Sequence, residues 1–179
     1  MGKFFFGIII GVLIVFAGVY VYFWSGLAPV ATSAEAMPFE KRWARMALHK
    51  RLEKEMPKNV PIQPDENNMV AGAQTYKEHC SVCHGLPNQP QTAISRGMFP
   101  KPPQLFRGHG VTDDPPGETY WKTANGIRLT GMPAFKNSLN DNQLWQVSIM
   151  LANADKLSPA AKNLLSNAQP TLRGSPTVH

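Results

Sequence analysis

The order of apolar and polar positions separates an apolar N-terminal run from a more polar remainder. The run from Phe4 to Trp24 contains no charged residue, and as a helix it would be about 31 Å long, enough to cross the hydrocarbon core of a bilayer. It is also longer than the roughly 7–15 apolar residues of a signal peptide. We therefore expect residues 1–26 to be a retained transmembrane anchor, with cleavage of a signal at Ala34-Glu35-Ala36 as the alternative.

Residues 27–64 read as a connector that contains one basic helix over about 38–56. Pro38 is a favourable first residue for this helix, because proline is common at the first helical position. Pro57 ends the helix. Its apolar side chains are expected on two opposite sides, with Phe39, Trp43 and Met46 on one and Leu48, Leu52 and Met56 on the other. Two interpretations stay open: a helix that lies on the lipid surface, and a solvated spacer partly packed on the domain that follows.

Residues 65–160 have the helical periodicity of a small all-α domain. Asp65 or Asn67 is a candidate N-cap of its first helix. A short second helix is expected over Glu118–Asn125. A third begins at Asn140, because the Gln three residues later completes a capping-box pattern.

A proline-rich loop separates the first two of these helices. Residues 85–117 contain seven Pro and few periodic apolar positions, so this segment should wrap around something. Three helices and a loop bury little apolar surface for a domain of about a hundred residues. A large apolar cofactor would supply the missing core. Residues 161–179 are expected to be a loosely ordered tail.

The positive charge of the chain lies outside this domain. Of the formal net charge of +6, residues 60–160 contribute nothing, because they hold eight Lys/Arg and eight Asp/Glu. The excess belongs to residues 1–59 and 161–179. A nucleic-acid partner is therefore not indicated.

The chemistry of the domain centres on Cys80-Ser81-Val82-Cys83-His84, which contains both cysteines of the chain. This is the C-x-x-C-H pattern of c-type haem attachment. Two thiols one helical turn apart share a face and can add to the two vinyl groups of one porphyrin edge. The histidine that follows is then carried beneath the ring, and histidine is the usual proximal ligand of haem iron.

Three other uses of this motif fit the sequence less well. A structural zinc site needs four Cys or His ligands, and no second paired motif is present. A thioredoxin-like redox pair needs alternating strands and helices around it, and the sequence shows no such alternation. A disulfide across three residues would close a very small loop and add little stability.

A second axial ligand must approach the other face of the ring. Met132 follows Gly131, which permits close backbone approach, and precedes Pro133, which stiffens the loop. Met98 also follows a glycine, but lies only 14 residues after His84. On the residues alone Met132 is favoured, and Met98 stays the alternative.

From about Asp65 to Ala154 the chain resembles the class I c-type cytochromes. The matching segments are Gly72 to Tyr76, Cys80 to His84, Tyr120 to Phe135, and a last helix containing Leu144, Trp145 and Leu151. The resemblance implies a class I cytochrome c domain wrapped around one covalent haem c, with His84 and Met132 as axial iron ligands. It also implies a close crossing of the first and last helices at Gly72. The aromatic residue usual at that crossing is replaced by Met150, which is expected beside Tyr76.

The resemblance further implies a one-electron carrier and not an enzyme. Haem attachment in this family is completed outside the bacterial inner membrane. A single-pass protein is therefore expected, with the N-terminus cytoplasmic, residues 4–24 in the membrane and the haem domain periplasmic. Its partners are expected to be redox proteins of respiratory or dehydrogenase systems. The alternatives are a permanent haem subunit of a membrane oxidoreductase complex and an open-site haem enzyme such as a peroxidase.

Overall fold

Helices are the regular structure of this chain, as a computed structural model of residues 1–108 and 112–167 shows. Within those residues there is no strand, which confirms the predicted all-α class. The α-helices are α1 (Gly2–Trp24), α2 (Glu40–Glu55), α3 (Glu66–His79), α4 (Ser81–His84), α5 (Ala93–Gly97), α6 (Pro116–Asn125), α7 (Asp141–Ala152) and α8 (Pro159–Ser166), and a 3₁₀ helix spans Ala154–Lys156.

The chain divides into two compact units, residues 1–44 and a second unit that starts at Arg45. In the first unit, α1 has a mean hydropathy of 2.7 over its most apolar window and no buried residue. By length and composition it is the one candidate membrane-spanning helix in the described part of the chain. It covers the predicted span of residues 4–24.

The second unit is built around the crossing of α3 and α7, with α6 also on α7 and α8 on α3. The crossing is tight at Gly72. A Cβ built on Gly72 would lie 2.7 Å from the Gln146 carbonyl carbon and 2.8 Å from Met150 Cβ. Only a residue without a side chain lets the two backbones approach this closely.

The aromatic and sulfur side chains around this crossing are buried as expected. Met150 and Tyr76 are fully buried members of one apolar cluster, which confirms the predicted place of Met150. The Tyr76 hydroxyl donates to the Gly85 carbonyl oxygen at 2.7 Å. Trp145, also buried, stacks on Tyr120 with ring centroids 4.2 Å apart. These contacts connect α3 to Gly85, which follows the cysteine motif, and α7 to α6.

The predicted N-terminal caps of two domain helices, α3 and α7, are confirmed. The Asp65 carboxylate accepts from the Asn68 backbone N–H at 2.9 Å and begins α3. Asn140 and Gln143 form the capping box at the start of α7. The short helix begins two residues earlier than expected, at Pro116.

The expected tail, residues 161–179, is wrong over its first part. Residues up to Ser166 belong to α8, and Ala161 and Leu165 are fully buried in the core cluster. The apolar period of Ala161, Leu164 and Leu165 is a helical one, capped by Ser158. The rest of the predicted tail from residue 168 lies outside the described residues.

The boundary expected at residue 64 differs from the structure, and the packing of the connector helix favours the interpretation in which it lies partly on the domain. Residues 45–64 belong to the same compact unit as the domain, and Leu52 on α2 is only 3% exposed. The side of α2 that carries Leu52 is therefore packed, whereas Trp43 is 65% exposed.

Candidate haem site

A cavity of about 250 Å³ lies between the cysteine motif, the proline-rich loop and the segment after α6. The structure brings all the predicted site residues to its wall: Cys80, Cys83, His84, Met132 and the alternative Met98. The remaining wall is largely apolar, with side chains such as Leu105, Ile127, Phe135, Val147 and Leu151.

Both thiols of the motif lie on the cavity wall at the short helix α4. Ser81, between them, is buried and donates its hydroxyl to the Lys77 carbonyl oxygen at 2.8 Å, so α4 continues closely from the end of α3. The two cysteines are not joined in a disulfide. Burial raises the pKa of Cys80 to about 12, with a smaller effect of nearby Cys83, and burial also raises the pKa of Cys83.

The ring of His84 is oriented by a backbone carbonyl of the proline-rich loop. Its Nδ1 lies 2.8 Å from the Pro103 oxygen, and because a carbonyl only accepts, Nδ1 carries the hydrogen. In the neutral ring this leaves Nε2 with a free lone pair, the arrangement that metal-bound histidines use. Burial lowers the pKa of His84, against the opposing effect of the Pro103 contact. The ring is thus held in the form that can bind iron.

Two further residues fasten the proline-rich loop to the cysteine motif. The Thr92 hydroxyl donates to the Val82 carbonyl oxygen at 2.6 Å, and the Gln104 amide donates to the Cys83 carbonyl oxygen at 3.2 Å. Sequence reasoning missed both residues. The only available signal was their position among prolines, where few backbone N–H groups can serve as donors.

The loop that carries Met132 is closed on itself and tied to α6. The Ile127 N–H donates to the Met132 carbonyl oxygen at 3.2 Å, and the Met132 N–H donates to the Thr130 hydroxyl at 3.1 Å. The Phe135 N–H then donates to Thr123 in α6 at 3.0 Å. The backbone of Met132 is therefore fixed on both sides.

Met98 reaches the same part of the wall from the end of α5. A Cβ added to Gly131 would overlap the Met98 methyl carbon Cε. Gly131 thus makes room for the tip of Met98 beside Met132. The residue before the candidate ligand has a packing role that the sequence did not indicate.

This donor set suits a c-type haem. Thiols, one neutral imidazole and a thioether face one mostly apolar cavity, and these are the groups that attach and ligate such a haem. In the described residues no group of three or more His, Cys, Asp or Glu side chains is placed to hold a metal ion.

Comparison with known proteins agrees with this geometry. Residues 67–149 match the family model described as cytochrome c oxidase, cbb3-type, subunit III. The cysteine motif, the helical fold and the family match over residues 67–149 support a c-type cytochrome domain in this chain, preceded by an apolar N-terminal helix. A cytochrome c domain binds covalent haem and serves electron transfer.

Among solved structures, a chain of the reducing HAO-like protein complex of Kuenenia stuttgartiensis is similar, with 23% sequence identity and a TM-score of 0.45. The match covers 57% of this chain and 52% of that one, about half the length of the solved chain. A comparison with curated proteins finds no match.

Proposed function

We propose that this protein is a one-electron carrier with one covalent haem c, attached through Cys80 and Cys83 and ligated by His84 and Met132. The observation that carries the proposal is the common cavity of these four side chains. When bound, the haem supplies a one-electron ferric/ferrous couple.

In this proposal the protein contributes two attachment points, two iron ligands and a largely apolar cavity wall. The Pro103 carbonyl holds His84 in the ligating tautomer, and backbone hydrogen bonds on both sides hold Met132. If His84 and Met132 both bound the iron of the haem, no coordination position would be left for a substrate. The proposal is therefore transfer and not catalysis.

Spectra of the full chain and of two methionine variants test this proposal. The purified chain should be one haem heavier than its polypeptide, and its reduced form should not bind CO. Met132→Ala should open the iron to CO and remove the long-wavelength ferric band of a sulfur–iron bond. Met98→Ala should keep both properties.

Each contrary result has a definite meaning. If Met98→Ala and not Met132→Ala opens the site, Met98 is the ligand. A wild-type protein with high-spin ferric haem that binds CO readily would instead indicate an open-site haem enzyme. Haem that acid-acetone extracts, leaving free thiols, would refute covalent attachment.

The proposed location is the outer face of the bacterial inner membrane, with α1 as anchor. Support comes from the length and hydropathy of α1 and from the side of the membrane on which c-type haem is attached. The chain should then resist carbonate extraction from membranes. Protease added to spheroplasts should cleave the haem domain, and protection of that domain would contradict the orientation.

A permanent subunit of a respiratory complex is the second candidate, because the matching family model is described as a subunit of an oxidase. Mild detergent extraction followed by native sizing distinguishes a mobile carrier from a permanent subunit. A haem-staining band near the mass of one chain supports a mobile carrier. Comigration with a large oxidoreductase supports a subunit with fixed redox partners.

A further inference from the structure

Residues 45–62, here called the arm, precede the cytochrome domain and pack as part of it. Leu52 is 3% exposed. Ile62, at the other end of the arm, packs against the main apolar cluster of α3, α7 and α8. The family match begins only at residue 67, so the arm is an addition of this chain to the matched domain.

Polar and backbone contacts attach the arm to α6. The Trp121 indole N–H donates to the Glu55 carboxylate at 3.3 Å, and Arg51 pairs with the same carboxylate at 2.7 Å. A Cβ added to Gly117 would overlap the Pro57 carbonyl oxygen. Pro57 and the first turn of α6 are therefore in direct backbone contact.

One side chain of the arm reaches the candidate haem cavity. Leu48 lies one helical turn before buried Leu52 and so on the same face of α2. It lines the cavity together with the cysteine motif, Met132 and the α6 residues Thr119 and Thr123. By contrast Met46, two residues earlier, is 51% exposed.

We propose that Leu48 is a wall residue of the haem pocket and that the arm shields this part of the haem from water. The proposal rests on the haem binding proposed above. An apolar wall lowers the local polarity and disfavours the more positively charged ferric form. The segment between the membrane helix and the matched domain would thereby raise the reduction potential.

The test uses the full chain in detergent, with covalent haem confirmed by mass. Leu48→Asn introduces a polar group at the wall, Leu48→Ala removes the side chain without a new polar group, and Leu48→Met keeps it apolar. Met46→Asn is the matched control on the exposed side of α2. Reduction potential, ferric spectrum and the rate of reduction by a small water-soluble reductant are measured for each.

We expect a fall of about threefold or more in the reduced-to-oxidised ratio of Leu48→Asn at fixed ambient potential, where tenfold equals about 59 mV for one electron. Leu48→Ala should also lower the reduced-to-oxidised ratio. Both Leu48→Asn and Leu48→Ala should react faster with the small reductant. Leu48→Met and Met46→Asn should match wild type. If the Leu48 variants keep low-spin haem and the wild-type potential and rate, the shielding role is wrong while the carrier proposal stands. If wild type lacks covalent haem, the carrier proposal itself fails.

Discussion

The tight crossing of α3 and α7 gives a sharp test of the fold through Gly72→Ala. In an exposed helix this change would stabilise the protein by about 1 kcal/mol, since alanine is the better helix former. Here the new methyl group would lie 2.8 Å from Met150 Cβ and 2.7 Å from the Gln146 carbonyl carbon. The second atom belongs to the backbone, so no side-chain rotation can relieve the overlap.

The magnitude follows from the distance that α7 must move. Ordinary contact begins near 3.4 Å, and the Gln146 carbonyl oxygen lies even closer than its carbon at 2.7 Å, so the helices must separate by at least about 0.7 Å. A gap of this size forfeits about a quarter to a half of the dispersion energy of the atom pairs across it. Overpacking costs about 1–3 kcal/mol, and with backbone atoms involved we take the upper end. After the gain in helix propensity, Gly72→Ala should lower the free energy of unfolding by about 2 kcal/mol.

Denaturant unfolding followed by far-ultraviolet circular dichroism measures this effect. The midpoint should fall while the m value stays unchanged. Gly97→Ala in α5 is the control, because a Cβ there meets nothing within 4 Å, and it should leave the stability unchanged or raise it by up to about 1 kcal/mol. Adding Met150→Ala should not rescue Gly72→Ala, because the Gln146 backbone remains. An unaltered midpoint in Gly72→Ala would refute the close crossing.

Two further predictions concern α7 and its contact with α6. Asn140→Ala removes the side chain that accepts from the Gln143 N–H at 2.9 Å; it should cost about 1 kcal/mol in denaturant unfolding, and Asn140→Ser should retain most of the stability. The hydrogen bond from Tyr120 to the Asp141 carboxylate is the main cause that raises the pKa of Tyr120 to about 12. Because the folded state holds this proton more tightly, its contribution to stability is present below about pH 10 and is lost as pH rises through about 12. In an absorbance titration of the tyrosines, Asp141→Asn should lower the pKa of one of them. An unchanged titration curve would contradict the hydrogen bond between Tyr120 and Asp141.

The parts of the fold that could be predicted from sequence depend on residues close together in the chain. The capping box of Asn140 lies within four residues, and the cysteine motif lies within five. The hydrophobic run of α1 is equally local. Gly72 and Met150 are far apart in the sequence. Their contact could be predicted only from the resemblance to a family whose first and last helices cross at these positions.

The parts that could not be predicted depend on contacts between distant segments. The Leu48 side of α2 has the same composition whether it faces water or a cavity, so only the fold reveals its neighbour. Gln104 and Thr92 are common loop residues, and nothing in their sequence marks Cys83 and Val82 as their partners. The helix α8 has only eight residues, and its apolar side is buried through contacts with the distant helix α3.

These distant contacts explain how a loop with little regular structure can form one side of a cofactor cavity. Prolines lack a backbone N–H, so the loop has few donors for hydrogen bonds of its own. Its carbonyls and polar side chains instead bond to the cysteine motif, as the Pro103 oxygen does with His84. The hydrogen bond that helps to order the proline-rich loop therefore also orients the ring of His84, the proposed iron ligand. A haem fixed to Cys80 and Cys83 would stabilise both, which is why a proline-rich segment suits a domain whose core is completed by its cofactor.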